Sequence, residues 1–159
     1  MKKIGFIGIF ILSCVTITVA QTKVYKGTST YSSDIICNLK EGKVYKKTST
    51  YSSDILLNIK DAKLYKLQST YSSDVIYTIT DGKVFAGNST YSSDILWTIK
   101  EGKIYKGISN YSSDVLATIL DGKVYKGNST YSSDILFTID GYVTIEELVA
   151  IWHTVKYTY

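Results

Sequence analysis

The chain has 159 residues, of which 45% are hydrophobic and 13% aromatic, with no proline, no arginine, one histidine and two cysteines. One domain fits this length, and intrinsic disorder does not fit this composition. All 18 basic residues are lysines against 14 acids, and the formal charge of +4 falls to +2 if Lys2 and Lys3 leave with a leader, too little to point to a nucleic-acid partner.

Met1, Lys2 and Lys3 form a positive start, residues 4–19 are uncharged and mostly apolar, and Thr18-Val19-Ala20 puts a small residue before Gln21. This pattern predicts a secretory signal peptide over residues 1–20, cleaved after Ala20. Two other readings compete. Ile11-Leu12-Ser13-Cys14 is a poor match to a lipoprotein box, and an uncharged run of about 17 residues is at the lower limit for a retained anchor over residues 4–20. The expected location is therefore periplasmic, outer-surface or secreted, with lipidation at Cys14 or anchoring as the alternatives. Cleavage leaves Cys37 as the one cysteine, so no intramolecular disulfide can form in an oxidising compartment. Stability has to come from packing.

From Lys23 the chain repeats with an unbroken period of twenty, starting at Lys23, Lys43, Lys63, Lys83, Lys103 and Lys123, and Tyr-Ser-Ser-Asp recurs unchanged in every copy from Tyr31 to Asp134. Six copies in register mean one supersecondary unit used six times. Each unit holds two β-rich runs, such as Val115 to Leu120 and Lys123 to Gly127, separated by Asp121-Gly122. Asp-Gly between such runs predicts a two-residue hairpin turn, in which both central residues need φ > 0. Asp61-Ala62 lacks the glycine, and a looser turn is expected there. The other connection, of the type Asn128 to Asp134, is rich in residues whose side chains bond local backbone in turns.

With Asp121-Gly122 as the loop, Leu120 pairs with Lys123, Ile119 with Val124, Thr118 with Tyr125 and Ala117 with Lys126, and paired residues share a face. Val115, Ala117, Ile119, Val124 and Lys126 are thereby assigned to the interior. Leu116, Thr118, Leu120, Lys123, Tyr125 and Gly127 are assigned to the outside. The inner middle position runs Cys37, Leu57, Tyr77, Trp97, Ala117 and Phe137. Such variation in volume at an apolar position implies a neighbour without the repeat symmetry. Thr144-Ile145-Glu146-Glu147 supplies one, as a capping box opening a helix at about 144–156 that is apolar over most of its circumference.

Twelve strands spaced about 4.8 Å apart and tilted by about 40° close into a barrel of roughly 12 Å backbone radius, wide enough for a helix about 10 Å across. The expected fold is thus mainly β, a closed pseudo-sixfold antiparallel barrel of six hairpins around a C-terminal helix. A twenty-residue solenoid, the competing architecture, would leave that helix only an end to cap.

The recurring YSSDIL-x-TI-x-DGKVYKG followed by TIEELVAIW resembles the bacterial β-flower family over Lys23 to about Tyr157. The resemblance implies a short symmetric β-barrel of repeated hairpins and brings no established catalytic or binding residues. In architecture alone, six hairpins around a hydrophobic C-terminal helix also resemble the Tubby C-terminal domain and phospholipid scramblases. That second resemblance implies membrane or phosphoinositide association, although an arginine-free chain lacks the planar forks that read phosphates bidentately.

Catalytic chemistry has little material here. His153 lies on the predicted helix among apolar residues, where a packed or tyrosine-bonded ring is expected rather than a general base. Cys37 reads as a small core residue. Asp34, Asp54, Asp74, Asp94, Asp114 and Asp134 would ring one rim, placed to bond turn backbone. Lys26, Lys46, Lys66, Lys106 and Lys126 fall on the inner face, with Ala86 opposite the bulky Tyr77 as the exception. These lysines either snorkel to the rim and pair with the Asp ring or form an anion-binding mouth. Tyr25, Tyr45, Tyr65, Tyr105 and Tyr125 repeat on the outer face, with Phe85 in the fourth copy, as a ladder for cross-strand packing, sugar rings or a lipid interface. The expectation is an exported, non-enzymatic binding or structural module at the cell envelope, without cofactor or metal. Its partner would be anionic lipid or a membrane surface, or alternatively a polysaccharide or the cell wall.

Overall fold

Every twenty-residue repeat forms its hairpin, and the hairpins join edge to edge. The computed structural model describes residues 21–157, so residues 1–20, including Cys14 and the predicted signal peptide, lie outside the described residues. The strands are β1 (Thr22–Lys26), β2 (Ile35–Lys40), β3 (Lys43–Lys46), β4 (Ile55–Lys60), β5 (Lys63–Lys66), β6 (Val75–Thr80), β7 (Lys83–Ala86), β8 (Ile95–Lys100), β9 (Lys103–Lys106), β10 (Val115–Leu120), β11 (Lys123–Lys126) and β12 (Ile135–Asp140). β1 pairs with β12, which closes a twelve-stranded antiparallel barrel and leaves no free edge. A helix, α1 (Ile145–Tyr157), follows.

The predicted hairpin register holds, with Ala117 opposite Lys126, Thr118 opposite Tyr125, Ile119 opposite Val124 and Leu120 opposite Lys123. Two face assignments do not hold. Between neighbouring hairpins Ala117 pairs with Ile104 but Val115 pairs with Tyr105, so one extra residue, Leu116, is inserted as a β-bulge. Because Ile104 and Tyr105 face opposite ways, Val115 belongs outside rather than inside. Leu116, assigned to the outside, packs against the core instead. The same shift recurs at each of the other five hairpin junctions.

The turns are tight. Glu41 and Gly42 have φ of 52° and 70°, and Asp61 and Ala62 adopt nearly the same values, 51° and 56°. The expected loosening at Ala62 is absent, since Lys60 still pairs with Lys63. The sheet on either side imposes the turn, and alanine carries the strain. A left-handed alanine costs about 1–2 kcal/mol, whereas glycine adds about 0.4–1 kcal/mol of unfolded-state freedom. Ala62→Gly should therefore raise stability by roughly 0.5–1 kcal/mol in urea unfolding. Gly82→Ala should lower it, because the added Cβ would stand 2.5 Å from the Ile99 carbonyl oxygen.

The core lies between wall and helix. Val24, Val44, Leu64, Val84 and Val124 are fully buried, and they meet Leu148, Val149, Ala150, Ile151 and Trp152 of α1. The capping box forms as predicted: the Thr144 N–H donates to the Glu147 carboxylate at 2.9 Å, and the Glu147 N–H donates to Thr144 Oγ1 at 3.2 Å. α1 starts at the tight-turn end, because β12 runs towards it, and its last turn reaches the end where the long connections lie.

Those connections fold back against the outside of the wall. Asn38, on the outer face opposite Tyr45, donates to the carbonyls of Lys47 and Ser49 at 2.7 and 2.8 Å. Asn58 donates to Ser69, and Thr78, Thr98, Thr118 and Thr138 donate to the carbonyls of Gly87, Gly107, Gly127 and Gly27. The polar outer middle position is thus a hook for the connection. It also explains why the outer aromatics are covered: Tyr25, Tyr45, Tyr65, Phe85, Tyr105 and Tyr125 are only 6–9% exposed. The expected outer aromatic ladder is a second, outer core and offers no binding face.

Candidate functional site

The long-connection end of the barrel gathers the chain's least symmetric side chains. Lys26, Lys46, Lys66, Lys106 and Lys126 end their strands on the inward register, opposite Phe137, Cys37, Leu57, Trp97 and Ala117, and all five are exposed. Ala86 does face Tyr77. The lysines therefore circle the mouth with their stems over apolar residues and their amines toward water.

The Asp ring makes no ion pair with them among the described residues. Asp34, Asp54, Asp74, Asp94, Asp114 and Asp134 each accept a hydrogen bond from the serine hydroxyl five residues earlier, Ser29 through Ser129. Each serine Oγ in turn accepts from the N–H of the following tetrad tyrosine. The aspartates thus build the turns, but through the serine hydroxyls rather than the backbone bonds expected from the sequence, and among the described residues the suggested lysine–aspartate pairs are not made. Among the described residues the one ion pair is Lys100 with Glu101, 3.5 Å apart at the opposite end. The serine bond holds each carboxylate in its turn, and a long exposed lysine would have to lose rotamer freedom to reach it.

Inside the mouth, the end of α1 meets the two largest variable residues. The Tyr77 hydroxyl and His153 Nδ1 are 2.9 Å apart, the Tyr77 and Trp97 rings stack edge-on at 5.0 Å, and the Lys156 amine sits 5.6 Å over the Trp97 ring. Burial holds His153 below its usual imidazole range. Burial first, and then the neighbouring Tyr157, pushes the Tyr77 phenol up. His153 is accordingly the packed, tyrosine-bonded ring expected from the sequence. Cys37 is fully buried and its thiol is pushed up to about 12 by that burial, so it is held as an unreactive thiol.

Two features of this end were missed by sequence reasoning. The tetrad tyrosines Tyr31, Tyr51, Tyr71, Tyr91, Tyr111 and Tyr131 are 72–76% exposed. Each shares its connection with a mouth lysine or Ala86, and shallow clefts run between Lys46 and Tyr51, Lys66 and Tyr71, and Lys106 and Tyr111. Their place inside the Ser- and Asp-rich turn segment, with no strand to bury them, was the available clue. The bulge residues form the second feature. Leu56, Ile76 and Leu116 pack at the edge of the core, Leu96 and Leu136 are more than a third exposed, and Leu67 and Ile108 stand out at 63% and 72%. The mouth is therefore lysine-rich, aromatic and aliphatic at once, a combination suited to holding an amphiphilic surface.

In comparisons with known proteins, a family model described as 6-fold beta flower protein matches residues 24–152. No curated protein and no solved structure matches the chain. The matched stretch takes in the barrel from β1 to β12 and α1 as far as Trp152. A closed ring of six hairpins is consistent with that description, and the chain belongs to the 6-fold beta flower family.

Proposed function

We propose that the chain is an exported, non-enzymatic module of the cell envelope that rests on anionic membrane surfaces through its lysine-lined mouth. The observation that carries this reading is the set of five exposed mouth lysines, without ion-pair partners among the described residues, ringed by exposed tyrosines and leucines. Lysine, tyrosine and aliphatic side chains side by side are the composition that settles at a headgroup boundary. Among the described residues no helix is long and apolar enough to cross a membrane. The strands have four to six residues, against about 9–11 for a membrane-spanning strand, so contact by one end of the barrel is the arrangement the dimensions favour. Export itself rests on residues 1–20 of the sequence.

A lysine near an anionic bilayer contributes about 1 kcal/mol, so five give at most about 5 kcal/mol, reduced by the six aspartates at the same end. Changing Lys26, Lys46, Lys66, Lys106 and Lys126 together to glutamine should lower flotation with phosphatidylglycerol-containing vesicles at low salt by roughly tenfold or more. The unfolding midpoint should stay put, because all five are exposed. High salt should produce the same loss in the unchanged chain. The six exposed tyrosines favour one alternative, a carbohydrate module whose rings stack on sugars. Salt-insensitive retention on peptidoglycan, with no flotation, would select that reading.

A further inference from the structure

The mouth is not equally filled on all sides. Between α1 and the wall lies an apolar cleft of about 390 Å³ bounded by Leu56, Leu57, Leu67, Ile76 and His153, with Lys66 at its lip. The volume is at the lower end of the range for small-molecule sites, about 300–1,000 Å³, which suits a single aliphatic chain better than a folded pair.

Leu67 gives the cleft its strongest mark. The corresponding residues of four repeats are Gly27, Gly87, Gly107 and Gly127, with φ of 54–57°. Leu67 adopts 52° there and is 63% exposed. A left-handed, solvent-exposed leucine is unfavourable twice over, once in backbone strain and once in hydration. Strain of this kind is kept where a side chain is needed in place. Lys47 carries the same strain, with φ of 52°, but lines the polar concavity beside Tyr51, which makes it a natural control.

We propose that this cleft takes one aliphatic chain bearing an anionic head, with the chain between Leu56, Leu67 and Ile76 and the head on the Lys66 amine. Lys66 has no ion-pair partner among the described residues, and Asp74, which lines the adjoining cleft with it, is bonded to the Ser69 hydroxyl. His153, bonded to Tyr77, also lines the cleft and is held towards its neutral form by burial. The inference deepens the membrane reading by giving the mouth a lipid class, and it rests on that reading only for the source of the ligand.

The test is calorimetric titration of residues 21–159 with dodecanoate below micelle formation and with dodecanol below its solubility limit, beside flotation on phosphatidylcholine vesicles with and without phosphatidylglycerol. One dodecanoate should bind per chain. Lys66→Gln should weaken dodecanoate about tenfold and leave dodecanol unchanged. Leu67→Gly should raise the unfolding midpoint and weaken both ligands, whereas Lys47→Gly should raise the midpoint and weaken neither. Failure of both ligands to saturate, or equal effects of the two glycine variants on binding, overturns the cleft. Flotation that survives such a failure leaves the surface reading standing, and dodecanoate binding without flotation does the reverse.

Discussion

Removal of residues 144–159 leaves a chain that no longer forms a monomeric barrel. The wall turns Val24, Val44, Leu64, Val84, Ile104 and Val124 inward at 0–1% exposure, and α1 is the only described element that covers them. Leu148, Val149, Ile151 and Trp152 are each buried, and at about 1.5–3 kcal/mol apiece they supply roughly 6–12 kcal/mol. A whole domain is stable by about 5–15 kcal/mol, so the truncated chain has little or nothing left. Size-exclusion chromatography should show aggregates or an expanded chain, and near-ultraviolet circular dichroism should lose its aromatic signal. A subtler form is Ile151→Asp, which puts an unpaired carboxylate at a fully buried position and should cost several kcal/mol. Ile145→Asp is its control: this residue is 43% exposed in the first turn, where a negative charge meets the helix dipole favourably, and stability should hold. Cooperative unfolding of the truncated chain would mean that the wall closes unaided and that α1 is an accessory.

The repeat made most of this architecture legible. Period, Asp-Gly turns and capping box fix strand count, hairpin register and helix start, because each is a local feature with one geometric consequence. The bulge left no such mark: Val115 and Leu116 are both apolar, so reversing their faces changes nothing in the hydrophobic pattern. The covering of Tyr25 and its counterparts was hidden for a related reason. It depends on Asn38 or Thr78 reaching a backbone carbonyl in the next connection, a contact whose acceptor has no side-chain identity. At the mouth, the lysines followed from pairing parity alone. Their lack of ion-pair partners among the described residues did not, because it depends on where the turn holds each carboxylate and on the rotamer freedom of an exposed amine. Ala62, Lys47 and Leu67 show the sheet overriding a glycine preference at three turns, which sequence can flag as strain but cannot resolve.

The variable inner series is the point at which helix and wall specify one another, and exchanging two of its members tests that directly. Phe137 is fully buried with its ring 6.4 Å from that of Trp152, and Ala117 is fully buried one hairpin away. Phe137→Ala should cost about 3–5 kcal/mol through the cavity it leaves, and Ala117→Phe about 1–3 kcal/mol or more through overpacking. The double exchange keeps composition and total volume. If the lumen were truly sixfold, rotating α1 by one repeat would restore the fit and the exchange would be nearly neutral. The helix cannot rotate freely, because Trp152 faces Phe137, His153 is bonded to Tyr77 and Lys156 lies over Trp97. The doubly exchanged chain should therefore lose about 4–8 kcal/mol, close to the sum of the single changes. At about 2–4 °C per kcal/mol for a chain of this size, the melting point falls by roughly 8–32 °C. A melting point within a few degrees of the unchanged chain would show that the helix finds its place by hydrophobicity alone. The expected fall would show that this near-symmetric wall admits one orientation of its helix, and hence one arrangement of lysines, tyrosines and cleft at the mouth.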